Sequence, residues 1–359
     1  MATRPESTPR TIFVVHPGAL GDVLLALPAI RALRTSFPTH QLGLVAGAEV
    51  SGLLRACGEV ATVFSLEAGA LAGLLAGPPW VGPTVREWLG RCDLAVCWMA
   101  DPEGRLSSTL QGLGVGRVIV RSLASSESEA IHQEDRILAT VRDMAPVERV
   151  EERLHLPDLV IAKGRARLAA VQLFMHHPLA AIHPGSGSRH KCVAPAVLAA
   201  VVTRFQANDI VPVLVGGPAD GRVVADVADA CASRPVVLHH EDLLTMAGVL
   251  AHADLFIGHD SGLTHLAAAL HVPTVALFGP TDRRRWAPHG SHVAVLTGEP
   301  CRCHGWTAVQ ACHEKPCLQI PAEALIMVCE RVLRQPRAVF QNQTEATRSP
   351  CDAPEVMLD

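Results

Sequence analysis

Residues 255–270 read LFIGHDSGLTHLAAAL. Leu255 to Ile257 is a short apolar run suited to a strand, and the stretch to about Leu270 suits a helix. Between them lies the glycine loop Gly258-His259-Asp260-Ser261-Gly262. Strand, glycine loop and helix in that order open a βαβ unit. The order recurs on both sides. Upstream, Ala180 to Ile182 runs into His183-Pro184-Gly185-Ser186-Gly187, followed by a helix around Pro195 to Phe205. Ile210 to Val215 ends at Gly216-Gly217-Pro218, and Val236 to Leu238 is another short strand. Downstream, Thr274 to Phe278 ends at Gly279-Pro280-Thr281-Asp282. A last helix, Pro321 to Arg334, spaces Leu325, Val328 and Val332 for one face.

The amino-terminal part has the same grammar. Thr11 to Val15 leads into Gly18-Ala19-Leu20-Gly21-Asp22 and an apolar helical segment, Val23 to Leu33. Gln41 to Ala46, Asp93 to Trp98 and Arg117 to Val120 read as further strands, with loops at Gly77 to Pro83 and Asp101 to Gly104. The charged stretch Pro146 to Pro157 reads as a linker, and Arg165 to Phe174 as a helix entering the second half. Strands alternating with helices predict an α/β protein with parallel sheets. The expected organisation is two Rossmann-like domains facing across a cleft. Residues 1–155 form the first and residues 156–335 the second, followed by a polar tail, 336–359.

A chain of 359 residues suits about two domains. With 49% hydrophobic and 18% charged residues it can build sizeable cores, which excludes whole-chain disorder. The net charge of −4 gives no basic field for nucleic acid. No apolar run approaches the ~18 residues of a membrane span, and Thr11 to Val15 is too short for a signal-peptide core. A cytoplasmic protein is expected. There is no tyrosine, so a tyrosine base is excluded, and the only lysines are Lys163, Lys191 and Lys315. The 11 scattered cysteines suggest reduced thiols, not a disulfide framework.

Three loops carry candidate chemistry. In Gly258 to His265, a helix capped by Asp260 or Ser261 would offer bare N–H groups to a phosphate, and Gly262 would allow close approach. The alternative is an ordinary capped helix. In His183 to Lys191, small residues let phosphate oxygens reach backbone donors, and Lys191 adds a mobile charge. The alternative is a solvated basic loop. Asp22 follows the first strand, where open α/β sheets place ligands. It is a candidate general base or, more plainly, an N-cap. The spacing lacks the dinucleotide fingerprint, and the chain has no P-loop and no Asp-x-Asp pair to hold a divalent ion.

In this order these loops resemble glycosyltransferase family 9, the ADP-heptose:lipopolysaccharide heptosyltransferases. The likeness rests on Gly18 to Asp22 with Leu27-Pro28, His183 to Gly187 with Lys191, and Gly258 to Ala268. Val272 to Asp282 with Trp286 and Pro288 completes it. The resemblance implies a GT-B fold and an inverting, metal-independent transfer of heptose from ADP-heptose to a hydroxyl of a lipopolysaccharide-core or related glycan acceptor. It implies Asp22 as catalytic base and Lys191 as the cation facing the donor phosphates. Gly185, Ser186, Gly187, Asp220, Asp260, Ser261, Gly262 and His265 would bind the donor, and Gly18 and Gly21 would lie on the acceptor side. No metal or cofactor is implied. A glycolipid acceptor would require only peripheral contact at the inner face of the cytoplasmic membrane. Alternatives are a GT-B transferase, epimerase or hydrolase using another nucleotide sugar, or a non-catalytic sugar-nucleotide binder. One departure is His190-Lys191-Cys192-Val193-Ala194-Pro195, which has no tryptophan where family members often carry Lys-Xaa-Trp-Pro.

His259, His265 and His271 do not share a helix face, so they are not expected to bind metal, and Arg283 to Arg285 reads as a solvated charge run. Cys301, Cys303, Cys312 and Cys317 form the densest thiol group, with His304 and His313 between them. Zinc sites favour Cys-x₂-Cys spacing, and the resemblance implies a local structural role instead. The spacing leaves the choice open.

Overall fold

The computed structural model describes residues 9–124, 130–145, 153–173 and 177–334. The chain divides into two compact units, Met1–Val150 and Glu151–Asp359.

The first unit is built on a five-stranded sheet. Its strands are β1 (Thr11–Val15), β2 (Gln41–Ala46), β3 (Thr62–Ser65), β4 (Cys92–Cys97) and β5 (Arg117–Val120). They lie in the order β3-β2-β1-β4-β5, and every pair is parallel. The central strand TIFVV is buried along its whole length, as a strand covered on both faces must be. Phe13, Phe64 and Trp88 pack in its core.

The second unit carries six strands: β6 (Leu179–His183), β7 (Val211–Gly216), β8 (Val236–His239), β9 (Leu255–His259), β10 (Thr274–Phe278) and β11 (Val293–Thr297). Their order is β11-β10-β9-β6-β7-β8, again all parallel. This is the doubly wound arrangement, and the winding reverses between β6 and β9. Helices Pro195–Gln206 and Ala322–Arg334 cover the sheet through Leu198, Val202, Leu325 and Val328.

The structure corrects several boundaries. The segment Val23 to Leu33 is not one helix: Leu20–Leu25 and Leu27–Ser36 meet at Ala26, and Pro28 sits in the first turn of the second. Proline lacks the N–H a continuous helix needs but is tolerated in a first turn. The helix expected at Arg165 to Phe174 spans Asp158–Ala170; Phe174 lies outside the described residues. Strands β3 and β11 were not anticipated. Both are edge strands. Residues 146–152 of the charged linker and the tail from Gln335 also lie outside the described residues.

Candidate functional site

Parallel strands all deliver their following loops to one edge of the sheet. Strands β6 and β9 are immediate neighbours, with Ile182 opposite Ile257 and His183 opposite Gly258. The loops after them are therefore side by side at the reversal point, where open α/β sheets bind ligands. Side-chain contacts join the two loops. Ser186 Oγ donates to the Asp260 carbonyl at 2.7 Å. Lys191 Nζ lies 2.7 Å from Asp260 Oδ2. His183 Nδ1 lies 3.0 Å from Ser261 Oγ.

Ser261, not Asp260, is the N-cap of helix Gly262–Ala269, accepting from the Thr264 amide. Its extended backbone and short hydroxyl suit that position. Asp260 is released from capping and pairs with Lys191. The Gly262 and Leu263 amides have no hydrogen-bond partner among the described residues. Helix-start amides of this kind, together with the helix dipole, favour an anion.

A second chain of contacts backs the first. His183 Nε2 lies 3.0 Å from Asp220 Oδ2, which also accepts from the Gly217 amide at 2.7 Å. Burial pushes the Asp220 carboxyl up, but His183 and the Gly217 amide outweigh it and hold it below the usual carboxylate range. Gly185 completes the arrangement: a Cβ there would run into the Asp220 carboxylate and the His183 ring. Only glycine lets the first loop lie this close to Asp220. Gly187 faces open space, so its role is not set by crowding. His265 is buried in the helix that Ser261 caps.

In the first unit, the loop after β1 leads to helix Leu20–Leu25. Asp22 is not an N-cap. It occupies the third helical position, and its Oδ2 accepts from the Ala19 amide at 3.0 Å. No described residue partners its Oδ1. Gly18 is squeezed between the Asp22 and His16 side chains, each 2.7 Å from where a Cβ would sit. Gly21 lies inside the helix. His16 accepts from the Gly18 amide through Nδ1 and stacks edgewise on Trp98, ring centres 5.8 Å apart.

Several organising residues went unassigned in the sequence reading. His183 and His259 are the last residues of β6 and β9, a position that places a side chain at the ligand edge. His259 Nε2 accepts from the Val193 amide at 3.0 Å and so anchors the end of the lysine-bearing loop. Trp306 has its ring centre 5.9 Å from Lys191 Nζ and 6.5 Å from the His190 ring. It stands far from Lys191 in sequence, which is why local spacing could not find it.

Buried histidines make stability depend on pH. Burial holds His259 down to about 4. Burial also holds His16 down to about 4, partly opposed by Asp22. Both are neutral in the folded chain at pH 7, whereas an unfolded histidine titrates near 6.5. Between these values the unfolded chain binds more protons, so their stabilising contribution is complete above about 6.5 and lost as pH falls toward 4. Denaturant midpoints should therefore drop across that window. His259→Gln can still accept from Val193, and it should flatten the slope. An unchanged slope in that variant would contradict the assignment.

The doubly wound unit presents two glycine loops, a lysine and a capped helix at its strand reversal, the edge where open α/β sheets take ligands. Residues 135–314 match the family profile Glycosyltransferase family 9 (heptosyltransferase). The chain belongs to that family. It is 33% identical over 116 residues to an Escherichia coli "Lipopolysaccharide heptosyltransferase 3", a match covering 31% of this chain and 34% of that protein. The chain spans at most about half the length of the curated relatives it matches first. A family 9 glycosyl transferase structure from Veillonella parvula superimposes with a TM-score of 0.75 at 19% identity, covering 90% of this chain and 97% of that one. The E. coli ADP-heptose lps heptosyltransferase II structure gives 0.73 at 19% identity, covering 90% and 98%. The fold is thus GT-B.

Proposed function

We propose that this chain is an inverting glycosyltransferase that moves a heptose from ADP-heptose to a hydroxyl of a lipopolysaccharide-core or related glycan acceptor. The observation that carries the reading is the joining of the His183–Lys191 and Gly258–His265 loops at the ends of β6 and β9. The names of the relatives, heptosyltransferases of lipopolysaccharide, supply the donor and acceptor class.

In this reading the donor diphosphate meets the Gly262 and Leu263 amides, with Lys191 as the mobile cation. Charge grows on the leaving diphosphate in the transition state, and donors already in place stabilise it most. Asp22 is the base. Its Oδ2 is held by the Ala19 amide, which fixes the carboxylate, and Oδ1 is left to take the acceptor proton. Inversion follows if the acceptor oxygen attacks opposite the diphosphate. Ser186, Asp220, Gly185 and His183 shape the donor loop. Among the described residues no helix is long and apolar enough to cross a membrane. A glycolipid acceptor would be met by peripheral contact from the cytoplasmic side.

Incubation of the full chain with ADP-heptose and a glycan acceptor should release ADP and yield the acceptor plus one heptose, with the anomeric configuration inverted by NMR. Conversion of ADP-heptose without any acceptor would assign the chain to an epimerase or hydrolase instead. The metal-free mechanism makes its own prediction. Transfer should persist in EDTA, and added Mg²⁺ or Mn²⁺ should not raise it. Activity lost in EDTA and restored by Mg²⁺ or Mn²⁺ would refute this part of the reading.

A further inference from the structure

A thiol cluster lies beside the donor loops, and the transfer chemistry makes no use of it. The thiols of Cys301, Cys303 and Cys312 all lie within 4.8 Å of one another. Cys301 and Cys303 are 2.9 Å apart, sulfur to sulfur. Four sulfurs at a Zn–S distance of about 2.3 Å sit about 3.8 Å from one another in a tetrahedron, so these three thiols are each within about 1 Å of that spacing, Cys301 and Cys303 standing closer than it requires. Cys317 lies outside the group within 4.8 Å; it is buried in the core cluster against which Cys301 packs, which makes it the candidate fourth ligand. His304 and His313 are exposed and stand outside the close group.

The backbone around the cluster supports it. The Lys315 amide donates to Cys312 Sγ at 3.3 Å, from a residue held in the left-handed region at φ 43°. N–H groups aimed at a ligating sulfur stabilise it as thiolate and tune the metal it holds. The Gly298 amide, just beyond β11, donates to the Cys317 carbonyl at 3.0 Å and ties the cluster to the sheet. Helix Gly305–Ala311 runs between Cys303 and Cys312, and it carries Trp306 to the Lys191 ammonium. This short helix has one buried side chain, Val309, so little apolar packing holds it. A cation joining the residues at its two ends would fix it.

We propose that Cys301, Cys303, Cys312 and Cys317 hold one thiophilic divalent cation, zinc by preference, which clamps helix Gly305–Ala311 and thereby sets Trp306 against Lys191. Soft thiolates in tetrahedral array select zinc or iron over magnesium or calcium. Binding releases the thiol protons to solvent and forms the metal–sulfur bonds, with no change of oxidation state. The cation is structural and lies outside the transfer chemistry, so this proposal stands or falls independently of the donor and acceptor assigned above.

The test is Co²⁺ titration of the full chain, reduced and freed of metal under anaerobic conditions. One equivalent should bind, with thiolate-to-cobalt charge-transfer bands and the intense visible bands of a tetrahedral site, and one equivalent of Zn²⁺ should bleach them. The variant combining Cys303→Ser with Cys312→Ser should lose the bands. If that variant does not fold, the wild-type titration alone decides. Elemental analysis of the purified protein should find one zinc per chain; one iron on the same thiols would uphold the site and replace the preferred occupant. Absence of stoichiometric Co²⁺ binding by the reduced wild type overturns the proposal. So do bands lacking thiolate character, or a metal-free protein isolated with a Cys301–Cys303 disulfide.

Discussion

Lys191→Ala is expected to lower kcat/KM by ~30- to ~900-fold, the equivalent of ~2–4 kcal/mol of transition-state stabilisation. The loss should fall mainly on kcat, because leaving-group charge is greater in the transition state than in bound donor. Lys191 is already engaged with Asp260, and both side chains are largely shielded from water. A purely structural lysine would therefore also produce a defect, and the kinetics of this one variant would not separate the cases. Asp260→Asn removes the same ion pair but leaves the cation. If Lys191 serves the diphosphate, Asp260→Asn should cost far less in kcat than Lys191→Ala. Equal losses in the two variants and in their combination would reduce Lys191 to a loop brace. Lys191→Arg should rescue only in part, since a planar fork replaces a compact ammonium.

Asp22→Asn should reduce turnover by ~10²-fold or more while donor affinity changes little. The amide oxygen of asparagine can still accept from Ala19, so the helix start survives and the base alone is removed. Asp22→Ala loses both, adding the loss of the hydrogen bond to the Ala19 amide, ~1 kcal/mol in stability. Comparing the two separates chemistry from folding. Near-wild-type turnover of Asp22→Asn with a verified acceptor would show that the proton goes elsewhere.

The fold was legible because both sheets are parallel and buried. Strands such as TIFVV and LAAIH are continuous apolar runs, and each empties into a glycine loop. Edge strand β3 has four residues and no glycine directly after it, β11 went unread although it runs into Gly298, and the break at Ala26 was hidden inside an apolar segment. The site was legible as loops but not as a network. Spacing can place His183, Lys191 and Asp260 after strands. It cannot reveal that β6 and β9 are neighbours, because that adjacency is set by a crossover of more than 70 residues. The same limit hid the partner of Lys191: the sequence reading aimed the ammonium at a phosphate, and the structure holds it on Asp260. Trp306 reaches Lys191 through a fold-back that no local pattern encodes, whereas the thiols beside it already stand close together in sequence.

The most direct test of the central claim is a crystal structure of the full chain with ADP bound. The diphosphate is expected at the start of helix Gly262–Ala269, in contact with the Gly262 and Leu263 amides, with Lys191 Nζ within ion-pair reach of a phosphate oxygen. A diphosphate bound away from both loops, with Lys191 still held only by Asp260, would contradict it.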